Sequence, residues 1–157
     1  MGQLLVASCW DGTIFTWKIA YNEHSNPKAH TQLIAQQRVD MPVLGLCWQI
    51  ESPGILFACA DNNIKRWDLQ TNQMTVVGQH AQPVKDIANI NISNNSVVIS
   101  GGWDGKVKFW TWRNGLLNDI GEAYVAMPVH YMDCRYPLLV TAHQDRFIHI
   151  WDLEKTF

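Results

Sequence analysis

Short apolar runs separated by polar turns organise the chain. LLVAS at 4–8, ILFACA at 55–60, VVIS at 97–100 and LLVTA at 138–142 are rich in β-branched and large apolar residues, and each is followed by a turn carrying Asp-Gly, Asp-Asn or Asp-Arg. An apolar run entering such a turn and leaving it into another is the signal of a β-hairpin. The runs are apolar on both faces, so the sheets they form must be covered on both sides, as happens when sheets stack. No window of eleven or more residues repeats with a period of 3.6, and no helix is predicted. The one polar, turn-rich stretch, YNEHSNPKAHT at 21–31, reads as a surface loop.

The hairpins recur in phase. ASCWDGTIFTW (7–17), FACADNNIKRW (57–67), SGGWDGKVKFW (100–110) and TAHQDRFIHIW (141–151) align without a gap. Each places an aspartate six residues before a tryptophan: Asp11 and Trp17, Asp61 and Trp67, Asp104 and Trp110, Asp145 and Trp151. The aspartates are 50, 43 and 41 residues apart, close to the roughly 40 to 45 residues of a four-stranded propeller blade. A second marker, Pro-Val, stands at 42–43, 83–84 and 128–129, preceding three of the aspartates by 19, 21 and 17 residues.

These segments resemble the WD-repeat family, whose unit carries a Gly-His pair, a serine or threonine, a turn aspartate and a tryptophan often followed by aspartate. Trp67-Asp68 and Trp151-Asp152 are the literal dipeptide. The resemblance implies a buried tetrad, complete only in the third repeat as His80, Ser100, Asp104 and Trp110, with Gln79-His80 standing for Gly-His. The fourth repeat keeps Thr141, Asp145 and Trp151 without that histidine, and the first two keep only Asp11 with Trp17 and Asp61 with Trp67, having Ala7 and Phe57 at the hydroxyl position. Within the family, ASCWDGTIFTW, PVLGLCW, QHAQPVKDI and SGGWDGKVKFWTWR look like the first half of the propellers that serve mRNA export at the nuclear pore. That likeness implies a non-catalytic scaffold that docks a short acidic segment of a phenylalanine-glycine nucleoporin and contributes to RNA binding, in the nucleus and at the nuclear envelope and also in the cytoplasm. The sibling reading is a mitotic checkpoint propeller binding kinase partners, and the reading of another class is a propeller hydrolase.

Placing each tryptophan in the third strand of its blade, the order the resemblance implies, gives three, four, four and three strands. The fold class predicted for 1–157 is therefore an all-β partial propeller of about three and a half blades. Closed propellers use about 4 to 8 blades, so the chain is expected to be a fragment, a truncated gene product, or a subunit that closes by self-association or with a complementary half.

Composition adjusts this picture only at the surface. Charged residues are 17% of 157, against roughly 25% on average, and the apolar fraction is 47%. No apolar run reaches the roughly 18 to 20 residues that span a bilayer, and Met1-Gly2-Gln3 lacks the basic start of a secretory signal, so an intracellular protein without a membrane segment is expected. Cys9, Cys47, Cys59 and Cys134 sit in strand-like runs without a C-x-x-C pair and read as buried reduced thiols. If the four turn aspartates are locked inside, the fourteen acids fall to ten against twelve bases, a slightly basic surface.

No nucleophile elbow, phosphate loop or zinc-ligand pair occurs, and neither catalysis nor a metal or cofactor is expected. His130 and Cys134 suit strand packing, and His80 a structural clamp. The residue before each turn aspartate opens on the top face of a propeller, which nominates Trp10 and Trp103 as partner anchors with Lys106 beside the second indole. Packing of each indole over a neighbouring blade is the alternative. Lys85, Lys108 and Arg113, interleaved with Trp112, suit single-stranded RNA by phosphate pairing and base stacking, and equally suit a solvated strand edge.

Overall fold

The computed structural model describes residues 3–22, 24, 29–50 and 52–155. Its strands form four antiparallel sheets of three, four, four and three strands, the distribution the tryptophan phase predicts. Sheet I holds β1 (Gln3–Ser8), β2 (Thr13–Tyr21) and β3 (Ala29–Arg38); sheet II holds β4 (Val43–Trp48), β5 (Gly54–Cys59), β6 (Asn63–Asp68) and β7 (Met74–Gln79). Sheet III holds β8 (Val84–Ile92), β9 (Asn95–Gly102), β10 (Lys106–Arg113) and β11 (Leu116–Tyr124); sheet IV holds β12 (Val129–Arg135), β13 (Leu138–His143) and β14 (Ile148–Asp152). Among the described residues the only helical turn is a 3₁₀ turn at Leu153–Lys155. Each Pro-Val marker opens the first strand of a sheet, where the missing proline N–H costs no ladder bond.

The chain divides into two compact units, Met1–Val43 and Leu44–Phe157. The first is sheet I, a meander in which β1 and β3 flank β2. Of the loop expected at 21–31, Tyr21 and Ala29 pair as the last rung of β2 and β3, while 23 and 25–28 lie outside the described residues. The second unit stacks three sheets through two apolar cores. Leu56, Ala58 and Ile64 of sheet II meet Val98 and Trp110 of sheet III, and Ile99, Val107 and Phe109 on the other face of sheet III meet Val129 and Leu139 of sheet IV.

The four hairpins share one turn. Asp11, Asp61, Asp104 and Asp145 each accept the backbone N–H two residues on, from Thr13, Asn63, Lys106 and Phe147, at 2.9 to 3.2 Å. The residue between is left-handed in every case: Gly12, Asn62, Gly105 and Arg146, with φ of 83°, 71°, 71° and 71°. Glycine and asparagine adopt this conformation readily, whereas an exposed arginine pays a steric cost. Arg146→Gly is expected to raise stability by about 0.5 to 1 kcal/mol, read as a rise of about 2 to 4 °C in Tm.

Candidate functional site

The third repeat builds a continuous hydrogen-bond chain from four elements. His80 follows β7, Ser100 lies on β9, Asp104 in the β9–β10 turn and Trp110 on β10. Trp110 Nε1 donates to Ser100 Oγ at 2.8 Å, and Ser100 Oγ stands 2.7 Å from His80 Nε2. His80 Nδ1 lies 3.1 Å from both carboxylate oxygens of Asp104. Facing a carboxylate, Nδ1 must carry the proton, so Nε2 accepts from the serine hydroxyl. The backbone N–H groups of Ala81 and Lys106 complete the shell of Asp104 at 3.1 and 3.2 Å. Burial pushes the imidazole below its ordinary 6.5, outweighing the bond and charge of Asp104, which raise it. His80 is therefore a neutral clamp with both nitrogens occupied. Gly102 makes the room: a Cβ there would stand 2.4 Å from His80 Nδ1 and 2.5 Å from Asp104 Oδ1.

The fourth repeat rebuilds the tryptophan–hydroxyl–imidazole part of this network by another route, with a backbone carbonyl where the third repeat has a carboxylate, which the sequence reading did not anticipate. The position equivalent to His80 is Val125. Both donate their backbone N–H to the residue after the preceding turn aspartate, His80 to Asn62 and Val125 to Gly105. The position equivalent to Gly102 is His143, two residues beyond Thr141. Its Nε2 lies 2.8 Å from Thr141 Oγ1, which also accepts Trp151 Nε1 at 3.0 Å. His143 is buried beside His149, ring centroids 4.6 Å apart, with Nδ1 3.5 Å from the Met127 carbonyl. Burial lowers its pKa too; the Met127 carbonyl raises it and the neighbouring His149 lowers it further. In the second repeat, where Phe57 replaces the hydroxyl, Trp67 Nε1 turns to Asn72 Oδ1 at 3.0 Å.

Only Asp104 of the four turn aspartates is locked in such a network. Asp11 and Asp145 are exposed, and Asp61 pairs with Lys65 at 2.6 Å. The slightly basic surface expected from burying four acids is corrected accordingly. Cys9 is likewise exposed, against the expectation of a buried thiol. Burial pushes Cys47 up to about 12 and Cys59 and Cys134 up to about 11, so these three are protonated at neutral pH.

Trp10 is 79% exposed in the first unit and Trp103 36% exposed in the second. Trp103 lines a depression of about 250 Å³ with Gln82, Pro128, His130 and Gln144. One backbone bond recurs on its two sides: Trp103 N–H to Pro83 O at 2.9 Å, and Gln144 N–H to Pro128 O at 3.2 Å. Lys106 does not turn its charge toward this indole, since its ammonium pairs with Glu122 of β11 at 2.6 Å.

The four residues nominated for RNA do not converge. Lys108 is shared between Asp119 and Glu122 at 3.2 and 3.9 Å and sits over the Trp110 ring. Trp112 is partly buried and packs against the core between sheets II and III. Lys85 lies over the Tyr131 ring, 4.8 Å from its centroid, and Arg113 ends β10 at the far hairpin. Acids of β11 opposite the lysines of β10 neutralise the face that the sequence alone made basic. Sequence reading also missed Asp86, whose half-buried carboxylate accepts the N–H of Met132 at 3.0 Å and so ties sheet III to sheet IV; burial raises its pKa.

Residues 71–111, which run from before His80 to just past Trp110, match the family model described as WD domain, G-beta repeat. These residues form a WD repeat. Proteins similar to it over nearly its whole length include the mRNA export factor rae-1 of Caenorhabditis elegans, 35% identical over 153 residues that make up 96% of this chain and 39% of that protein. Protein Rae1 of Drosophila melanogaster is 28% identical over 154 residues, 98% of this chain and 42% of its own length. The mRNA export factor of Mus musculus is 32% identical over 153 residues, covering 98% and 39%. The chain thus spans about two fifths of the length of the curated relatives it matches. Among solved structures, the crystal structure of the computationally designed Ika4 protein superposes with a TM-score of 0.65 at 22% identity, over 96% of this chain and 85% of that one, a likeness of fold.

Proposed function

We propose that the chain is a non-catalytic WD-repeat scaffold of mRNA export that seats an extended nucleoporin segment in the depression beside Trp103. The observation that carries this reading is the Trp103 depression. A partly exposed indole beside a proline, a histidine and two glutamines offers an apolar wall with amide and imidazole groups at its rim, which suits one apolar side chain and the backbone of an extended peptide. The names of two of these relatives, both mRNA export factors, supply the biological setting, and residence at the nuclear pore is part of the same proposal. The lining includes no lysine or arginine, so the indole contact outweighs charge pairing here, and Lys106 contributes little.

Titration of a synthetic acidic nucleoporin segment containing apolar side chains against the chain tests this. Trp103→Ala is expected to weaken binding about tenfold or more, the loss of a central aromatic anchor. Lys106→Ala should change it by no more than about twofold, because its amine is already paired. Trp10→Ala, measured separately, tests the exposed indole of the first unit. Binding unchanged by Trp103→Ala would overturn the assignment.

A further inference from the structure

Two walls enclose the Trp103 depression, and one residue outside it ties them together. The first wall belongs to sheet III and carries Gln82 and Trp103, the indole residue being held by its backbone bond to Pro83 at the start of β8. The second belongs to sheet IV and carries Pro128, His130 and Gln144, the last held in the same way by Pro128 at the start of β12.

Asp86 supplies the tie. Strands β8 and β12 each pair with a single neighbour, β9 and β13, so backbone N–H groups on their other edges need partners from elsewhere. Met132 stands two residues beyond His130, roughly 7 Å along the strand, and donates its N–H to Asp86 Oδ2 at 3.0 Å. The equivalent residue of β8, counted from its Pro-Val marker, is Ile87, whose N–H donates to Asp86 Oδ1 at 2.9 Å. One oxygen thus fixes the carboxylate to its own strand while the other holds the neighbouring sheet.

The tie is particular to this junction. Counting from Pro42, Pro83 and Pro128 brings Gly45, Asp86 and Tyr131 to the same place in their strands, so sheet II has no side chain there to reach sheet III. Gly45 also makes room, since a Cβ on it would stand 3.0 Å from both Cα and Oδ1 of Asp86. Cohesion does not call for a carboxylate here. Val129 and Leu139 already pack on Ile99, Val107 and Phe109, and drawing a charge half out of water offsets much of what its hydrogen bonds return. What the bond adds, and an apolar contact lacks, is a fixed distance and direction between two atoms. We propose that Asp86 is a positioning residue of the Trp103 depression, setting its sheet III wall against its sheet IV wall and so the fit of the peptide side chain that enters. The peptide part of this statement rests on the docking reading above, and the spacing of the walls does not.

Nuclear magnetic resonance of the ¹⁵N-labelled chain tests the spacing, with the Trp103 indole signal identified by Trp103→Phe. Asp86→Ala is expected to shift the Trp103 indole and the Gln144 backbone signals and to speed solvent exchange of the Met132 N–H about tenfold or more. Val77→Ala, which opens the core between sheets II and III instead, should lower Tm and leave the Trp103 and Gln144 signals in place, whereas a tie that served stability alone would give both variants the same local spectrum. Titration with the same acidic nucleoporin segment should show about three- to tenfold weaker binding by Asp86→Ala. In a Trp103→Ala background the further loss should be less than about twofold, because the wall that Asp86 positions no longer carries its anchor. Gly45→Ala crowds Asp86 from sheet II without touching the depression, and is expected to shift the same signals should Asp86→Ala fail to fold. If the parent chain does not bind the segment, the docking reading fails and the indole and amide signals still decide the positioning role. Trp103 and Gln144 signals unmoved by these variants, or an affinity loss that persists undiminished without the indole, would overturn it.

Discussion

His80→Ala should destabilise the chain by about 2 to 3 kcal/mol, lowering Tm by about 5 to 10 °C. The substitution removes the middle of the chain that runs from Trp110 through Ser100 to Asp104. Ser100 loses its acceptor and the Asp104 carboxylate loses its imidazole donor, both inside the protein, and a buried polar group without a partner costs more than an average hydrogen bond contributes. The cavity left by the ring adds to the loss. The hydrogen bond of Trp110 to the serine survives, so fluorescence of the folded state should change less than its melting temperature.

Protonation acts at the same point. Burial holds His80 and His143 neutral, with folded pKa values below the ordinary 6.5. Below pH 6.5 the unfolded chain takes up protons that the folded chain refuses, so stability falls as pH drops from about 6.5 toward the lower folded values, and is fully present above it. The slope reaches at most about 1.4 kcal/mol per pH unit for each histidine. Thermal melts between pH 7.5 and 5 should show this decline, and His80→Ala should flatten part of it. A parent Tm that holds constant over that range would contradict the neutral clamp.

Much of the fold was legible because a repeated sequence repeats its physics. Aspartates six residues before tryptophans identified the hairpin turns, and Pro-Val marked the first strands, so the division into three, four, four and three strands followed without a side-chain coordinate. The place of Trp103 before the turn singled it out as a candidate anchor, and in the structure it is 36% exposed. What sequence could not supply were contacts decided by register. Whether Lys106 and Lys108 face phosphate or carboxylate depends on which residues of β11 lie opposite, and a shift between Phe109 and Trp110 brings Glu122 across from Lys108 and Asp119 across from Trp110. The acids were visible at 119 and 122 but their reach was not. Asp86 was hidden for a similar reason, since its partner Met132 is 46 residues away in another sheet.

The histidine exchange in the fourth repeat was harder to see because it crosses two alignment columns. A search for the family's histidine before Pro128 finds Val125 and stops, while His143 sits in plain view two residues beyond Thr141. The geometry of the third repeat explains why the two changes belong together. A side chain at the Gly102 position would run into the imidazole of His80, so only one of the two positions can carry a ring. The third repeat pairs histidine with glycine, and the fourth pairs valine with histidine. Val125→His alone should therefore destabilise the chain by about 2 kcal/mol, because two imidazoles compete for one space. His143→Gly alone should cost a similar amount, leaving Thr141 Oγ1 without its nitrogen partner and an unfilled site beside Trp151. Combined, the two substitutions rebuild the third repeat's arrangement around Thr141, Asp145 and Trp151. The double variant is expected to recover about 2 kcal/mol relative to the sum of the single losses, a coupling within the range seen for contacting residues. Chemical denaturation of the four proteins of this cycle measures it, and losses that simply add would show that the imidazole of His143 does not occupy the place that His80 fills in the third repeat.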